Sequence, residues 1–181
     1  MRYQLDIHMT EEDYLQFNLF QSLELPDSKK AIRRAQLTLL GVVAAVLVLY
    51  IWVVGWTTFS IVYVPVMCLL TTIYLADYKK RVARNIRSQI KRLRKTGKLP
   101  YDENSRIEFY EDRIVETAAS SRVEQGYEAL ERICVLEDRY IFLFTSCVAA
   151  YILPVPQVKA QIDMQEFLDF LSGKCNTVEY Y

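Results

Sequence analysis

The sequence predicts a membrane α-helical hairpin joined to a cytoplasmic α+β domain, an antiparallel, strongly bent sheet with a C-terminal helix. Three observations carry this. No charged residue occurs from Ala35 through Ala76. Lys and Arg crowd both flanks of that stretch. Beyond Asp102 the chain breaks into short apolar-polar runs separated by turn residues.

The uncharged stretch is too long for one membrane helix and right for two, since about 20 apolar residues cross a bilayer. The first span is expected over Gln36–Val54 and the second over Thr58–Leu75, joined by Gly55-Trp56-Thr57-Thr58. Trp52, Trp56 and Phe59 cluster at this turn, where amphipathic rings favour the headgroup level. Backbone groups in a bilayer must bond internally, so helices are the expected form, and Pro65 should kink the second. Lys29, Lys30, Arg33 and Arg34 precede the spans; Lys79, Lys80, Arg81, Arg84 and Arg87 follow them, and the turn carries no charge. The positive-inside rule then places both flanks, and both termini, in the cytoplasm, as in a multi-pass plasma-membrane protein. A signal peptide does not fit: a polar stretch comes first, the apolar run is too long, and a second span follows at once. A core hairpin of a soluble protein would rarely lack charges over such a length. A pore or ion path places ionisable groups inside its spans. None occurs here, so the hairpin reads as an anchor.

The formal net charge of zero hides three blocks: −5 over residues 1–28, +13 over 29–98 and −8 over 99–181. A basic middle between acidic ends points to a membrane surface or a polyanion. The basic block culminates in a juxtamembrane helix, residues 79–98, in which Val82, Ile86, Ile90 and Leu93 recur at helical spacing. Gly97 is placed to cap it and Pro100 to stop it resuming. Lys79, Lys80, Arg81, Arg84, Arg87, Lys91, Arg92, Arg94 and Lys95 are the candidate lipid- or partner-contacting residues. Each cation near an anionic surface contributes about 1 kcal/mol. The same charges also serve simply to fix topology. Nucleic acid is not an expected partner, because the stripe lacks interleaved aromatics. The helix either continues from the second span or bends at Asp77 to lie on the membrane.

Within residues 1–28, Arg2–Met9 alternates as a strand with Tyr3, Leu5, Ile7 and Met9 on one face. Thr10 caps a following helix whose first turn is acidic and whose apolar side is Tyr14, Leu15, Phe17 and Leu19; Pro26-Asp27 should end it. A lone strand is unstable, so this one is expected to dock on the C-terminal sheet. In residues 99–174, strands are expected at Arg106–Tyr110, Arg113–Ala118, Ser121–Gly126, Arg132–Leu136, Tyr140–Thr145 and Ala149–Leu153. The turns fall at Glu111-Asp112, Ala119-Ser120, Glu137-Asp138 and Thr145–Val148. Pro154 and Pro156 end the sheet, and a helix over Asp163–Ser172 presents Ile162, Phe167, Leu168 and Leu171 before Gly173 stops it. Residues 175–181 read as a tail. A bent antiparallel sheet closed by a C-terminal helix has the shape of a pleckstrin-homology-like barrel.

The layout resembles the YcxB-like family of bacterial membrane proteins. Three passages carry the resemblance: the opening strand followed by Thr10-Glu11-Glu12-Asp13-Tyr14, the hairpin with charged flanks, and Tyr127 through Pro154, ending in Ala150-Tyr151-Ile152-Leu153-Pro154. It implies a cytoplasmic pleckstrin-homology-like domain on a two-helix anchor, and no established activity or functional residues to carry over. Val155-Pro156 departs from the family, which has a basic residue after the proline, and this weakens any inference of phosphate binding at that turn.

Catalytic patterns are missing from the sequence: there is no GxSxG, no phosphate-cradling glycine loop and no HExxH. His8 lies on the polar face of its strand, and Glu108, Glu111, Asp112 and Glu116 read as a solvated face. Cys68, Cys134, Cys147 and Cys175 lack metal-ligand spacing; Cys68, Cys134 and Cys147 sit in apolar runs and read as small buried hydrophobes. No cofactor or metal is called for. The expectation is a non-enzymatic, membrane-anchored binding module whose basic helix contacts anionic lipid or an acidic protein surface, including self-association. The alternative is an accessory or regulatory subunit of a transporter or envelope enzyme, touching its partner through the hairpin, where Gly41, Ala44 and Ala45 offer a small-residue face.

Overall fold

The computed structural model describes every residue except Lys98, Pro100, Ser120, Cys147, Val148 and Asn176. The expected stop at Pro100, part of the turns at Ala119-Ser120 and Thr145–Val148, and the expected burial of Cys147 lie outside the described residues. The rest forms two compact units, residues 1–17 with 90–181, and residues 18–89.

The first unit holds two four-stranded sheets. Strand β1 (Tyr3–His8) pairs antiparallel with β2 (Asn104–Phe109), which pairs with β3 (Arg113–Ala118), which pairs with β4 (Arg122–Gly126). The register sets Tyr3 opposite Phe109 and Leu5 opposite Ile107. The period of two therefore sends Tyr3, Leu5, Ile7, Ile107, Phe109 and Ile114 into the core, while Gln4, Asp6, His8, Arg106 and Glu108 lie in the outward row. A 3₁₀ turn (Tyr127–Ala129) leads to the second sheet, ordered β7 (Ala150–Pro154), β6 (Tyr140–Phe144), β5 (Arg132–Leu136), β8 (Val178–Tyr180). Ile133, Val135, Ile141, Leu143, Tyr151 and Leu153 join the core of the first sheet. The other face is buried as well, through Cys134, Phe142 and Phe144, because Phe17 packs on it with ring centroids 5.4 Å from Phe142 and 5.7 Å from Phe144. Phe17 belongs to helix α1 (Glu11–Leu23), begun by a reciprocal cap. Thr10 Oγ1 accepts from the Asp13 N–H, and the buried Asp13 carboxylate accepts from the Thr10 N–H, the Thr10 hydroxyl and the Tyr140 hydroxyl.

Two features differ from the sequence expectation at the end of the chain. A five-residue helix, α5 (Val155–Lys159), follows β7 directly, with Pro156 tolerated in its first turn. Residues 175–181 are not a free tail: Cys175 is buried, and β8 pairs parallel to β5, so the domain is not purely antiparallel. Helix α6 (Met164–Ser172) starts on its Asp163 cap and buries Phe167, Phe170 and Leu171 against Tyr3, Phe109 and Tyr127. The outer edge of β1 is closed by side chains: the Gln157 and Gln161 amides each accept from and donate to the backbone of His8 and Asp6, respectively. Four backbone hydrogen bonds that a further strand would take up are thus made by two carboxamides four residues apart, which blunts an edge open to other strands.

The second unit is built on α2 (Pro26–Val54) and α3 (Thr58–Ala76), both long and apolar enough to cross a membrane. α1 ends at Leu23, before Pro26-Asp27 as expected, and Pro26 itself sits in the first turn of α2, where its missing N–H costs nothing. α2 buries none of its residues and α3 only Ser60. Cys68 is accordingly exposed, not buried as expected. Gly55, at φ +74°, turns the chain, and a Thr57–Ser60 capping box starts α3, with Ser60 Oγ donating to the Gly55 carbonyl at 2.9 Å. Helix α4 (Tyr78–Lys95) follows after one residue. It ends at Lys95, with Thr96 in a turn and Gly97 left-handed at φ +67° behind it.

Candidate functional site

Helix α4 carries the nine candidate cations, and the structure divides them. Asp77 joins α3 to α4 without a reversal: its N–H donates to the Ile73 carbonyl at 3.1 Å, and its own carbonyl accepts from the Arg81 N–H at 3.0 Å. The Arg81 guanidinium donates to the Tyr74 carbonyl and lies 3.6 Å from the centre of the Tyr74 ring. Arg81 therefore braces this joint. Lys79 pairs with Glu24 at 3.7 Å, and Lys29 pairs with the same carboxylate at 2.9 Å. These two lysines, chiefly Lys29, hold the Glu24 carboxyl below its usual range. Lys80 reaches Asp77 at 3.7 Å, and Arg94 reaches Glu11 at 3.2 Å.

Among the described residues no ion-pair partner is found for Arg84, Arg87, Lys91, Arg92 or Lys95, and all five are exposed. At 100° per residue, Lys80, Arg84, Arg87, Lys91 and Lys95 fall within about 80° of one another, a stripe about 22 Å long. Arg92 flanks it. Val82, Ile86 and Leu93, half-buried, and Ile90, fully buried, occupy the opposite side. The apolar side fixes the helix and turns the cations outward.

At the other end of the hairpin Trp52, Trp56 and Phe59 are exposed, as a headgroup-level cluster requires. Phe59 stacks on Tyr63 at 5.9 Å, and Tyr63 lies 4.8 Å from Tyr50.

The domain itself offers little reactive chemistry. Two shallow depressions meet at Asn104. One, about 450 Å³, is lined by Asp6, His8 and Arg106; the other, about 490 Å³, by Arg94, Tyr101 and Glu103. Arg106 is already paired to Asp6 at 2.8 Å and Arg94 to Glu11, and His8 Nδ1 lies 2.9 Å from Asn104 Oδ1. Burial pushes the Cys134 thiol up to about 12, which leaves it protonated and unreactive. Among the described residues no group of three or more His, Cys, Asp or Glu could hold a metal ion.

Glu116 departs from the solvated face expected of it. Register sets it opposite Ile107 and Val123, in the row that points inward. The signal was present in the sequence, since Glu116 lies two residues beyond Ile114 on the same strand face. Burial pushes its carboxyl up, partly offset by a hydrogen bond from Ser105. Tyr151, whose hydroxyl donates to Gln125 at 3.0 Å, is pushed up to about 12 by burial and by Glu116. A carboxyl raised on folding stabilises the fold while protonated, and that stability is lost as pH rises through its folded value. Glu116→Gln is therefore expected to raise the melting temperature at pH 7 and to flatten its decline between mildly acidic and neutral pH. Melting curves of both forms across that range check this, and an unchanged pH profile would count against an inward Glu116.

No family model, curated protein or solved structure matches the chain.

Proposed function

We propose that this chain is a non-enzymatic binding module held at the cytoplasmic face of the bacterial plasma membrane by its two-helix hairpin. Contact is made by the outward cations of α4 with anionic lipid or an acidic protein surface. The observation that carries this is the stripe of Arg84, Arg87, Lys91 and Lys95, exposed and without a partner among the described residues, on a helix that follows directly from α3.

Membrane insertion is supported by the surfaces of α2 and α3, on which Val46, Val53, Leu69 and Ile73 are all about half exposed or more. Water would oppose such surfaces, whereas hydrocarbon accommodates them. A two-crossing topology is supported by β1 and β2, which pair although the whole hairpin lies between them in sequence, so residues 3–8 and 104–109 share one compartment. The flanking cations make that compartment the cytoplasm. Two packed sheets with α6 against one end support a pleckstrin-homology-like domain of the YcxB-like kind. The alternative, an accessory subunit that binds its partner through the hairpin, is favoured by one observation: α2 buries no residue, and Gly41 faces open space.

The test uses the full chain in phosphatidylcholine nanodiscs, exposed to vesicles with and without phosphatidylserine and to immobilised polyglutamate. Capture that falls with salt is expected on at least one anionic surface. Arg84→Glu with Arg87→Glu and Lys91→Glu should weaken it by roughly 100-fold or more, at about 1 kcal/mol per lost cation. Capture that survives the triple variant, or no capture at all, overturns the reading.

A further inference from the structure

Resting on that reading, we infer that the partner of the α4 stripe is the acidic domain of a second copy of this chain, with each copy's α4 seated on the other's domain. Arg87, Lys91 and Lys95 are exposed on α4 and have no ion-pair partner among the described residues, so they call for an anionic surface.

The chain supplies one. Residues 99–181 carry a net −8 in the compartment where α4 carries its cations. The stretch from Glu124 to Asp138 concentrates it, with five acidic residues against Arg132 alone. Glu124 is committed to Arg113 at 2.9 Å and Asp138 to Lys159 at 2.6 Å. Glu128, Glu131 and Glu137 are exposed, and among the described residues none has a cationic partner. Outward cations and outward carboxylates thus stand unmatched on one molecule. A two-fold pair matches both sets twice, because an isologous interface repeats each contact. Confinement of both copies to one bilayer raises their effective concentration, so modest contacts suffice.

The experiment follows energy transfer between donor- and acceptor-labelled full chains in phosphatidylcholine liposomes at low protein density. Neutral lipid removes headgroup charge as a competing partner. Association is expected at low salt and should fall as salt rises. Arg87→Glu with Lys91→Glu and Lys95→Glu should reduce it at least 10-fold, and so should Glu128→Lys with Glu131→Lys and Glu137→Lys. Mixing the two reversed chains should restore it, since every contact in the mixed pair again joins opposite charges. Restoration also proves that both variants fold. Association that neither reversal weakens, or that mixing does not restore, overturns the inference. If the α4 variant loses vesicle or polyglutamate capture while energy transfer is unchanged, the second-copy partner is wrong and the binding module stands.

Discussion

Val46→Arg combined with Leu69→Arg is expected to abolish stable insertion of the hairpin. Val46 is 48% and Leu69 60% exposed; Val46 sits near the middle of the uncharged part of α2, residues 35–54, and Leu69 near the middle of α3. An Arg at the centre of a membrane helix costs about 2.5–3.5 kcal/mol on insertion scales, so the pair costs about 5–7 kcal/mol. The same substitutions on the surface of a water-soluble helix would be nearly neutral, since exposed positions tolerate charge. The two environments thus predict opposite results from one variant. Wild-type chain should resist alkaline extraction from membranes, and the double variant should be released. A wild-type chain released by alkali, or a variant retained as firmly as wild type, would remove the membrane anchor from the proposal.

Phe167→Ala should remove most of the stability of the first unit. Phe167 is fully buried on α6, edge-on to Tyr3 at 5.3 Å and to Phe109 at 5.0 Å, so its ring joins the last helix to the first strand and to β2. Truncating a buried Phe costs about 3–5 kcal/mol, and aromatic pairs add roughly 0.5–1.5 kcal/mol each. Against a typical total of 5–15 kcal/mol, that brings the domain close to unfolding. For about 100 residues the melting temperature should fall by roughly 15–30 °C. Leu168, one residue on and only partly buried, should cost far less when cut to Ala. Equal, small losses at both positions would show that α6 does not close the core.

Much of this architecture could be read from pattern alone. β3 and β5 fall where alternation puts them, and the uncharged stretch gives both long helices, because these signals are local and repeat over several residues. What escaped is short or depends on distant partners. α5 is five residues with Pro156 in its first turn, and β8 is three residues paired with β5, too little sequence for any period to show. Pro26 marks the end of α1, as the sequence suggests, but the start of α2 at the same residue does not show in the sequence, because a proline that stops one helix serves equally well in the first turn of the next. The cover on the second face of the second sheet could not be read either, because Phe142 and Phe144 are covered by Phe17 from near the other end of the chain. At the candidate site the sequence located all nine cations but not their commitments. Arg81 and Arg87 differ little by context in the sequence; only geometry shows that one is folded onto Tyr74 while the other faces outward.

The pairing of β1 with β2 also bears on how the protein is made. Tyr3 leaves the ribosome first, and its strand partner Phe109 follows only after the hairpin has been translated. At roughly 5–20 residues per second, β1 waits several seconds or longer with Leu5 and Ile7 uncovered. Gln157 and Gln161, which close its outer edge, emerge later still. On the proposed membrane anchoring, the insertion machinery would meet the hairpin while the domain is still unfolded, and the anchor would be in place before there is a domain to hold. A delay in insertion would prolong exposure of an apolar strand with both edges open, making targeting speed, and not the stability of the finished fold, the step at which this chain is most exposed to aggregation.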